Sequence, residues 1–155
     1  MSNKYDEVVK ETYIETLENL AFVFSDPLEK EEALELLGDN EFYLSSMEFS
    51  GGLEGSLKLA TETEVGDIIA ENMLGMTDEE DDMCSLCIDS IKEITNVICG
   101  KLMTDIAGTE PIINLSIPEV SKIEKEDFKE LLEDEASLIF NSEEYLVVLI
   151  FKLNQ

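Results

Sequence analysis

The longest regular stretch of this chain lies between about residues 80 and 107, and its pattern predicts one long amphipathic helix. At about 100° per residue, its apolar side chains fall on one narrow stripe. The stripe consists of Cys84, Cys87, Ile91, Ile94, Ile98 and Leu102. Because such a helix buries its stripe against another layer of structure, the chain is restricted to a layered fold.

The residues before this segment predict helices followed by a hairpin. Apolar spacing indicates an amphipathic helix over residues 5–24, with Val8, Val9, Tyr13, Leu17, Leu20 and Phe24 on its buried face. Pro27 suits the first turn of a short second helix that ends at Leu37. Two strands, 42–49 and 53–61, then meet at a glycine turn and form an adjacent pair.

The rest of the chain repeats that order. A helix over residues 64–75 precedes the long helix, and a strand over 112–117 follows it. A short acidic helix over 126–133 leads to a closing hairpin of strands 136–140 and 145–153. Helices followed by hairpins, twice over, predict an α+β fold, with long helices packed on one face of an antiparallel sheet and two loosely similar halves.

Charge restricts the function classes open to this chain. A length of 155 residues suits a single domain over 1–155, and the net charge is -27, from ten lysines and 37 acidic residues. Such a surface repels phosphate backbones and anionic lipid, so neither nucleic acid nor a membrane is an expected partner. The chain has no histidine and no arginine, which excludes histidine-based nucleophile pairs and an arginine finger. Any phosphate chemistry therefore needs positive charge from a partner or a metal.

Three features favour a cytoplasmic location. Residues 1–6 lack the apolar core of a signal peptide. No run of about 18 apolar residues occurs that could span a bilayer. Three cysteines, an odd number, suit a reducing compartment better than a disulfide framework.

The long helix also has a polar face opposite its apolar stripe. Asp89, Glu93, Asn96 and Gly100 share an outward sector of about 60°, with Asp82 a little further along. Glycine inside a helix costs about 1 kcal/mol relative to alanine, so Gly100 is easier to explain if something packs closely against it. A solvated acidic face is the commoner reason for such a pattern. Spacing alone shows only that these side chains could act together on an approaching partner.

The same residues resemble a known signature. Asp89-x-x-x-Glu93-x-x-Asn96 followed by Gly100 is similar to the signature of the CheC/CheX/FliY chemotaxis phosphatases, and the chain is closest to CheX. Further matching segments stand in the order found in CheX-like domains over about residues 42–153. They are Phe49-Ser50-Gly51, Gly55, Leu57, Leu59, Met73-Leu74-Gly75 and Ser116-Ile117-Pro118-Glu119-Val120.

The resemblance implies a protein phosphatase that hydrolyses the aspartyl phosphate of a CheY-like response regulator in bacterial chemotaxis. Asn96 would position the attacking water, and Glu93 would pair with the lysine of the receiver domain. Asp89, Lys92 and Gly100 would support these residues or contact the partner. The family implies no cofactor of its own for this chain, because Mg²⁺ is expected in the partner's active site.

The first helix departs from the family members that carry two sites. Glu15 and Asn19 are four residues apart rather than three, and Leu17 and Leu20 are expected in the core. We therefore expect one site per chain, as in CheX, and a homodimer, as CheX-like proteins tend to form. Thr95 stands where CheC-like motifs often have glycine, which again favours the CheX branch.

Other functions are open from the sequence. A non-catalytic module of the same fold could dock to a response regulator or a flagellar motor component without hydrolysis. A thiol-redox protein using Cys84 and Cys87 would need both thiols accessible, and their positions on the apolar stripe favour small core residues instead. The acidic segment 78–82 could suggest a calcium site, but it lacks the glycine and the spaced ligands of an EF-hand loop. An acidic first turn of the long helix is the better interpretation of this segment.

Overall fold

The computed structural model describes residues 4–75 and 83–154, which contain five helices and seven strands. The helices are α1 (Asp6–Ala21), α2 (Lys30–Leu36), α3 (Thr63–Leu74), α4 (Met83–Ala107) and α5 (Lys125–Leu132). The strands are β1 (Ser25–Leu28), β2 (Phe42–Gly51), β3 (Gly55–Glu62), β4 (Ile113–Leu115), β5 (Glu119–Ile123), β6 (Ser137–Ser142) and β7 (Tyr145–Leu153). None of the described helices is long and apolar enough to cross a membrane.

The seven strands form one antiparallel sheet, which confirms the predicted α+β fold. Its order is β1-β6-β7-β3-β2, and β4 and β5 both pair with the outer edge of β2. At the centre, β3 pairs with β7 from Gly55–Leu153 to Thr61–Val147. Each half also lends a strand to the hairpin of the other, because β1 pairs with β6 and β5 pairs with β2.

Core residues lie on both faces of the sheet. On β7, Val147, Leu149 and Phe151 face a large core shared with α1, α3 and α4. The alternate residues Leu146, Val148 and Ile150 face a second core that includes Ala33 of α2 and Phe128 of α5. The long helices therefore share one face, as predicted. The two short helices cover part of the other face, a placement that the pattern of segments did not reveal.

The prediction of a helix beginning at Pro27 is wrong. Residues Ser25–Leu28 form strand β1, which pairs with β6 at the sheet edge. An edge strand tolerates proline because an N–H directed away from the sheet has no partner to lose. α2 begins only at Lys30, where Glu29 and Glu32 form a reciprocal capping box.

Two further boundaries differ from the sequence-based expectation. α1 ends at Ala21 because Phe22 adopts a left-handed conformation with φ 54°, so Phe24 leaves the predicted buried face and is 60% exposed. The strand predicted over 112–117 is limited to β4, and β5 follows as a separate strand that the sequence did not predict. Pro118 separates the two, and both strands continue along β2.

Three buried hydroxyl groups join α1 to the sheet. Tyr13 Oη lies 2.9 Å from Ser142 Oγ, which lies 2.7 Å from Ser25 Oγ. The Tyr13 ring also stacks on Phe140, with ring centroids 4.3 Å apart. Burial raises the pKa of the Tyr13 hydroxyl to about 12, against a small opposing effect of the two serine hydrogen bonds.

Replacement of Tyr13 by phenylalanine is expected to lower the free energy of unfolding at neutral pH by about 1 kcal/mol, because a buried hydrogen bond is lost. It should also flatten the pH dependence at alkaline pH. In the wild type, the unfolded tyrosine ionises near pH 10.0 and the folded one only near 12, so stability falls as the pH rises through this window. Urea unfolding of both proteins across the window measures the difference.

A second group, the Cys99 thiol, also affects stability at alkaline pH. Comparison of the wild type with the Tyr13→Phe protein separates the contribution of the tyrosine from that of this thiol. Burial raises the pKa of the Cys99 thiol to about 11, so this thiol also removes stability as the pH rises from 9.0 towards 11. That contribution is the same in both proteins. If the phenylalanine variant loses stability between pH 10 and 12 as steeply as the wild type, the buried tyrosine is not the cause.

Candidate functional site

α4 carries the residues that resemble the phosphatase signature. This 25-residue helix packs against α1, α3 and the strands β2 and β3. Its predicted apolar stripe is confirmed within the described side chains, because Cys87, Ile91, Ile94, Ile98 and Leu102 are all fully buried. The side chain of Cys84, together with Asp82, lies outside the part of the chain that the structure describes.

A buried polar contact joins α4 to the sheet. Thr95 is fully buried, and its Oγ1 lies 2.8 Å from Ser45 Oγ on β2. The same Oγ1 lies 2.7 Å from the main-chain oxygen of Ile91. Asn96 follows Thr95 directly and lies about 100° further round the helix, on its exposed side. Sequence reasoning missed Ser45 and noticed Thr95 only as a family difference; the available signal was a serine at an inward position of an otherwise apolar strand face.

The outward face of α4 contains the predicted site residues. Asp89, Glu93 and Asn96 are exposed, and Gly100 is partly exposed. Lys92 is half-buried at the side of this face. The structure thus brings together the five residues that the sequence singled out, all on one helix.

Glu93 and Asn96 have no partner within residues 4–75 and 83–154. Neither side chain hydrogen-bonds or forms an ion pair with any other residue that the structure describes. Ion pairs among the described residues lie elsewhere: Lys10–Glu7, Lys122–Glu41, Lys125–Asp39 and Lys152–Asp134. An exposed carboxylate and an exposed carboxamide, one turn apart, are therefore both available to a second molecule.

Gly100 is not required by packing within the chain. A Cβ built there meets no atom within 4 Å in the described structure, when the backbone of the same helix is left aside. Gly66 on α3 shows the contrast, because a Cβ there would lie 3.0 Å from Ile91 Cδ1 and 3.2 Å from Tyr43 Cε2. The glycine at 66 thus permits close packing of α3 on α4. The expected close contact at Gly100 comes from no described part of this chain.

The cysteines do not form an accessible pair. Cys87 is fully buried, and its Sγ donates to Asp67 Oδ1 at 3.0 Å. Cys99 is also a buried free thiol. The redox alternative needed Cys87 to be accessible, so its burial argues against that function, and the state of the Cys84 side chain lies outside the described residues.

The first helix presents a similar pair of residue types. Glu15 and Asn19 are both exposed on α1, and Leu17 is buried as expected. The placement of Leu20 in the core is wrong, because its side chain is 39% exposed at the last turn of α1. The pair Glu15 and Asn19 therefore offers a natural internal control for Glu93 and Asn96.

No candidate metal site occurs in the described ranges. Within residues 4–75 and 83–154, no three His, Cys, Asp or Glu side chains come together so that they could hold a metal ion. The segment 78–82, weighed for calcium and for an acidic helix start, lies outside these ranges.

Comparison with known proteins identifies the family. The family model described as Chemotaxis phosphatase CheX matches residues 43–141. The chain belongs to the CheX family. No curated protein matches the sequence of this chain significantly. The CheX match begins on β2 and ends on β6, so it includes the whole of α4 and both halves of the sheet.

Solved structures share the fold. A CheX protein from Desulfovibrio desulfuricans is 15% identical, with a TM-score of 0.70 and coverage of 98% of this chain and 100% of that one. CheX in a CheX–CheY complex with BeF3 and Mg²⁺ from Borrelia burgdorferi is 14% identical, with a TM-score of 0.66 and coverage of 98% and 99%. FliY from Thermotoga maritima is 18% identical, with a TM-score of 0.56 and coverage of 92% and 83%. The scores place the chain nearer to these two CheX structures than to this FliY.

The Thr95–Ser45 contact yields a test of how α4 is held. Thr95→Val keeps the shape of the side chain but leaves the buried Ser45 hydroxyl unpaired, which is expected to cost about 1–3 kcal/mol of unfolding free energy. Ser45→Ala should cost less, about 1 kcal/mol, because the Thr95 hydroxyl keeps its contact with the Ile91 main-chain oxygen. The double variant should cost less than the sum of the two, because no unpaired hydroxyl remains. Additive losses in denaturant unfolding would mean that the two hydroxyls do not interact.

Proposed function

We propose that this chain removes phosphate from the aspartyl phosphate of a CheY-like receiver domain, and that α4 is the docking helix. The observation that carries the proposal is the pair Glu93 and Asn96, exposed and without internal partners on the outward face of α4 in a member of the CheX family. A fold neighbour from Borrelia burgdorferi is a CheX in complex with CheY, BeF3 and Mg²⁺. That pairing supports a receiver domain as the partner.

The reaction is hydrolysis of an acyl phosphate. A water oxygen forms a bond to phosphorus while the bond between phosphorus and the aspartyl oxygen breaks. The products are a free aspartate carboxylate and inorganic phosphate, and the proton of the water passes to phosphate or to solvent. Phosphoryl transfer depends on positioning and charge stabilisation more than on covalent help, so a single well-placed side chain can provide most of the acceleration.

Asn96 is the residue that would position the water. Its carboxamide has both a donor and an acceptor and carries no charge, so it can hold a water in line without repelling the phosphoryl oxygens. A carboxylate at this position would add a negative charge beside a dianionic group. The packing of α4 on the sheet, which includes the Thr95–Ser45 contact, supports this role because it places residue 96 on the outward face of the helix.

Glu93 would pair with the lysine of the receiver domain. One turn of helix separates it from Asn96, so both side chains can reach into the same partner site. Asp89 and Lys92 would support docking at the edges of this contact, and Gly100 would lie beneath the partner. The partner contributes the lysine and the Mg²⁺, which supply the positive charge that this acidic chain lacks.

The first experiment follows the decay of a phosphorylated CheY-like receiver from the same organism with catalytic amounts of each protein. Wild type should accelerate decay over many turnovers. Asn96→Ala should lower kcat by about 100-fold or more, because the water is no longer held. Glu93→Ala should mainly raise KM, because the receiver lysine loses its partner.

The chain provides matched controls. Glu15→Ala and Asn19→Ala remove the same residue types from the exposed face of α1, and neither should change the rate. If Asn19→Ala lowered the rate as much as Asn96→Ala, the prediction of one site per chain would be wrong. Acceleration that survives Asn96→Ala would remove the water-positioning role, and binding of the receiver without acceleration would favour the non-catalytic binding module.

We also propose that the protein forms a homodimer and that it is located in the cytoplasm. The homodimer is supported by the outer edge of β4, which pairs with no described strand, and by Ile112 and Ile117, each 81% exposed beside it. An open edge with exposed apolar side chains is suited to pairing with a second copy. Sedimentation should give twice the mass of one chain, and Ile117→Lys should shift the protein towards the monomer. A monomer at all concentrations would contradict the dimer.

A further inference from the structure

Gly100 lowers the stability of α4 in the isolated chain, relative to alanine at the same position. It lies inside a 25-residue helix, where glycine is less favourable than any residue except proline. Its backbone conformation does not require a glycine, because the φ angle of Gly100 is not positive. Its packing does not need one either, because a Cβ at this position meets no atom within 4 Å in the described structure. Neither backbone conformation nor internal packing therefore accounts for it.

The outward neighbours of Gly100 on α4 leave its position open. The preceding outward residue, Asn96, is one helical turn away and has no internal partner. The following outward residue, Thr104, directs its Oγ1 back to the Gly100 main-chain oxygen at 3.2 Å. Its hydroxyl is thereby held against the helix rather than extended from it. The main chain of Gly100, which carries no side chain, thus lies one helical turn from the carboxamide that the proposed reaction uses.

We infer that the partner receiver packs its main chain directly onto α4 at Gly100, and that the missing side chain sets how far the Asn96 carboxamide reaches into the partner's active site. The inference rests on the proposed function. A methyl group at position 100 would hold the two molecules apart by about the length of a carbon–carbon bond, roughly 1.5 Å. Displacement of about 1 Å can cost on the order of 100-fold in rate.

α4 cannot easily avoid such a clash. Its buried face includes six fully buried apolar side chains, and Thr95 is held against β2. Close-packed interiors transmit a displacement rather than absorb it. A side chain added at position 100 should therefore move the partner, not the helix.

Two variants, Gly100→Ala and Gly100→Leu, test the inference. For Gly100→Ala we expect two opposite effects: higher thermal stability and weaker binding of the partner. Gly100→Ala should raise Tm by about 2–4 °C, because alanine favours the helix. It should weaken binding of the receiver loaded with BeF3 and Mg²⁺ by about tenfold and lower kcat/KM by at least as much. Gly100→Leu should weaken binding by more than about 100-fold while the protein stays folded, because the position is open in this chain.

Gly38→Ala is the matched control. A Cβ there meets only the Asn40 side chain, at an ordinary 3.6 Å, and Gly38 lies between α2 and β2, away from α4. This variant should bind and hydrolyse like the wild type. Binding should also be measured in an Asn96→Ala background, where docking is separated from catalysis.

The outcomes distinguish the inference from the proposed function. If both Gly100 variants bind and turn over like the wild type, the inference is overturned and the phosphatase remains. If the wild type binds the loaded receiver without accelerating decay and the Gly100 variants bind more weakly, the contact stands and the phosphatase is overturned. If the wild type neither binds nor accelerates with any receiver of the organism, both are overturned.

Discussion

The pairing of β3 with β7 is the interaction on which the rest of this structure depends. It runs from Gly55–Leu153 to Thr61–Val147 and joins the hairpin of one half to the hairpin of the other. A side chain at Gly55 would collide with the main chain at Lys152, so a bare glycine lets the two strands meet at full length. Since β7 is buried on both faces, this central pair organises both helical layers.

The sheet positions the helix that carries the candidate site. β2 pairs with β3 and presents Ser45 towards α4, where it meets Thr95. A helix turns about 100° per residue, so a change of one residue in this contact would carry Asn96 from the outward face to the side of the helix. If the proposed site is correct, Thr95 is a positioning residue that acts on it through the main chain it anchors. The exposed site is thus only as well defined as the buried contact behind it.

Much of this architecture could be predicted because it is periodic in sequence. The stripe of α4, the hairpins and the antiparallel sheet follow from spacings of 3.6 and 2 residues. β1 and β5 could not be predicted, because four or five residues at a sheet edge leave no clear alternation and Pro27 resembles a helix start. The Ser45–Thr95 contact joins residues 50 apart, and no local pattern reports which buried hydroxyls will meet. The chemistry of Glu93 and Asn96 came from resemblance, since an acidic helix face alone is usually only solvated.

The charge of the chain is consistent with the proposed roles of Glu93 and Asn96 on α4. With a net charge of -27, the approach of the proposed phosphorylated partner would be opposed at long range wherever that partner is also negative, so docking would depend on local complementarity. A carboxylate is useful only where the partner supplies a cation, which is the part proposed for Glu93. Beside the phosphoryl group a further negative charge would repel, and a neutral amide at position 96 avoids that repulsion while still binding water. On the proposed function, the surface of α4 is organised by what the partner brings, and this would account for a carboxylate and a glycine that have no counterpart among the described residues.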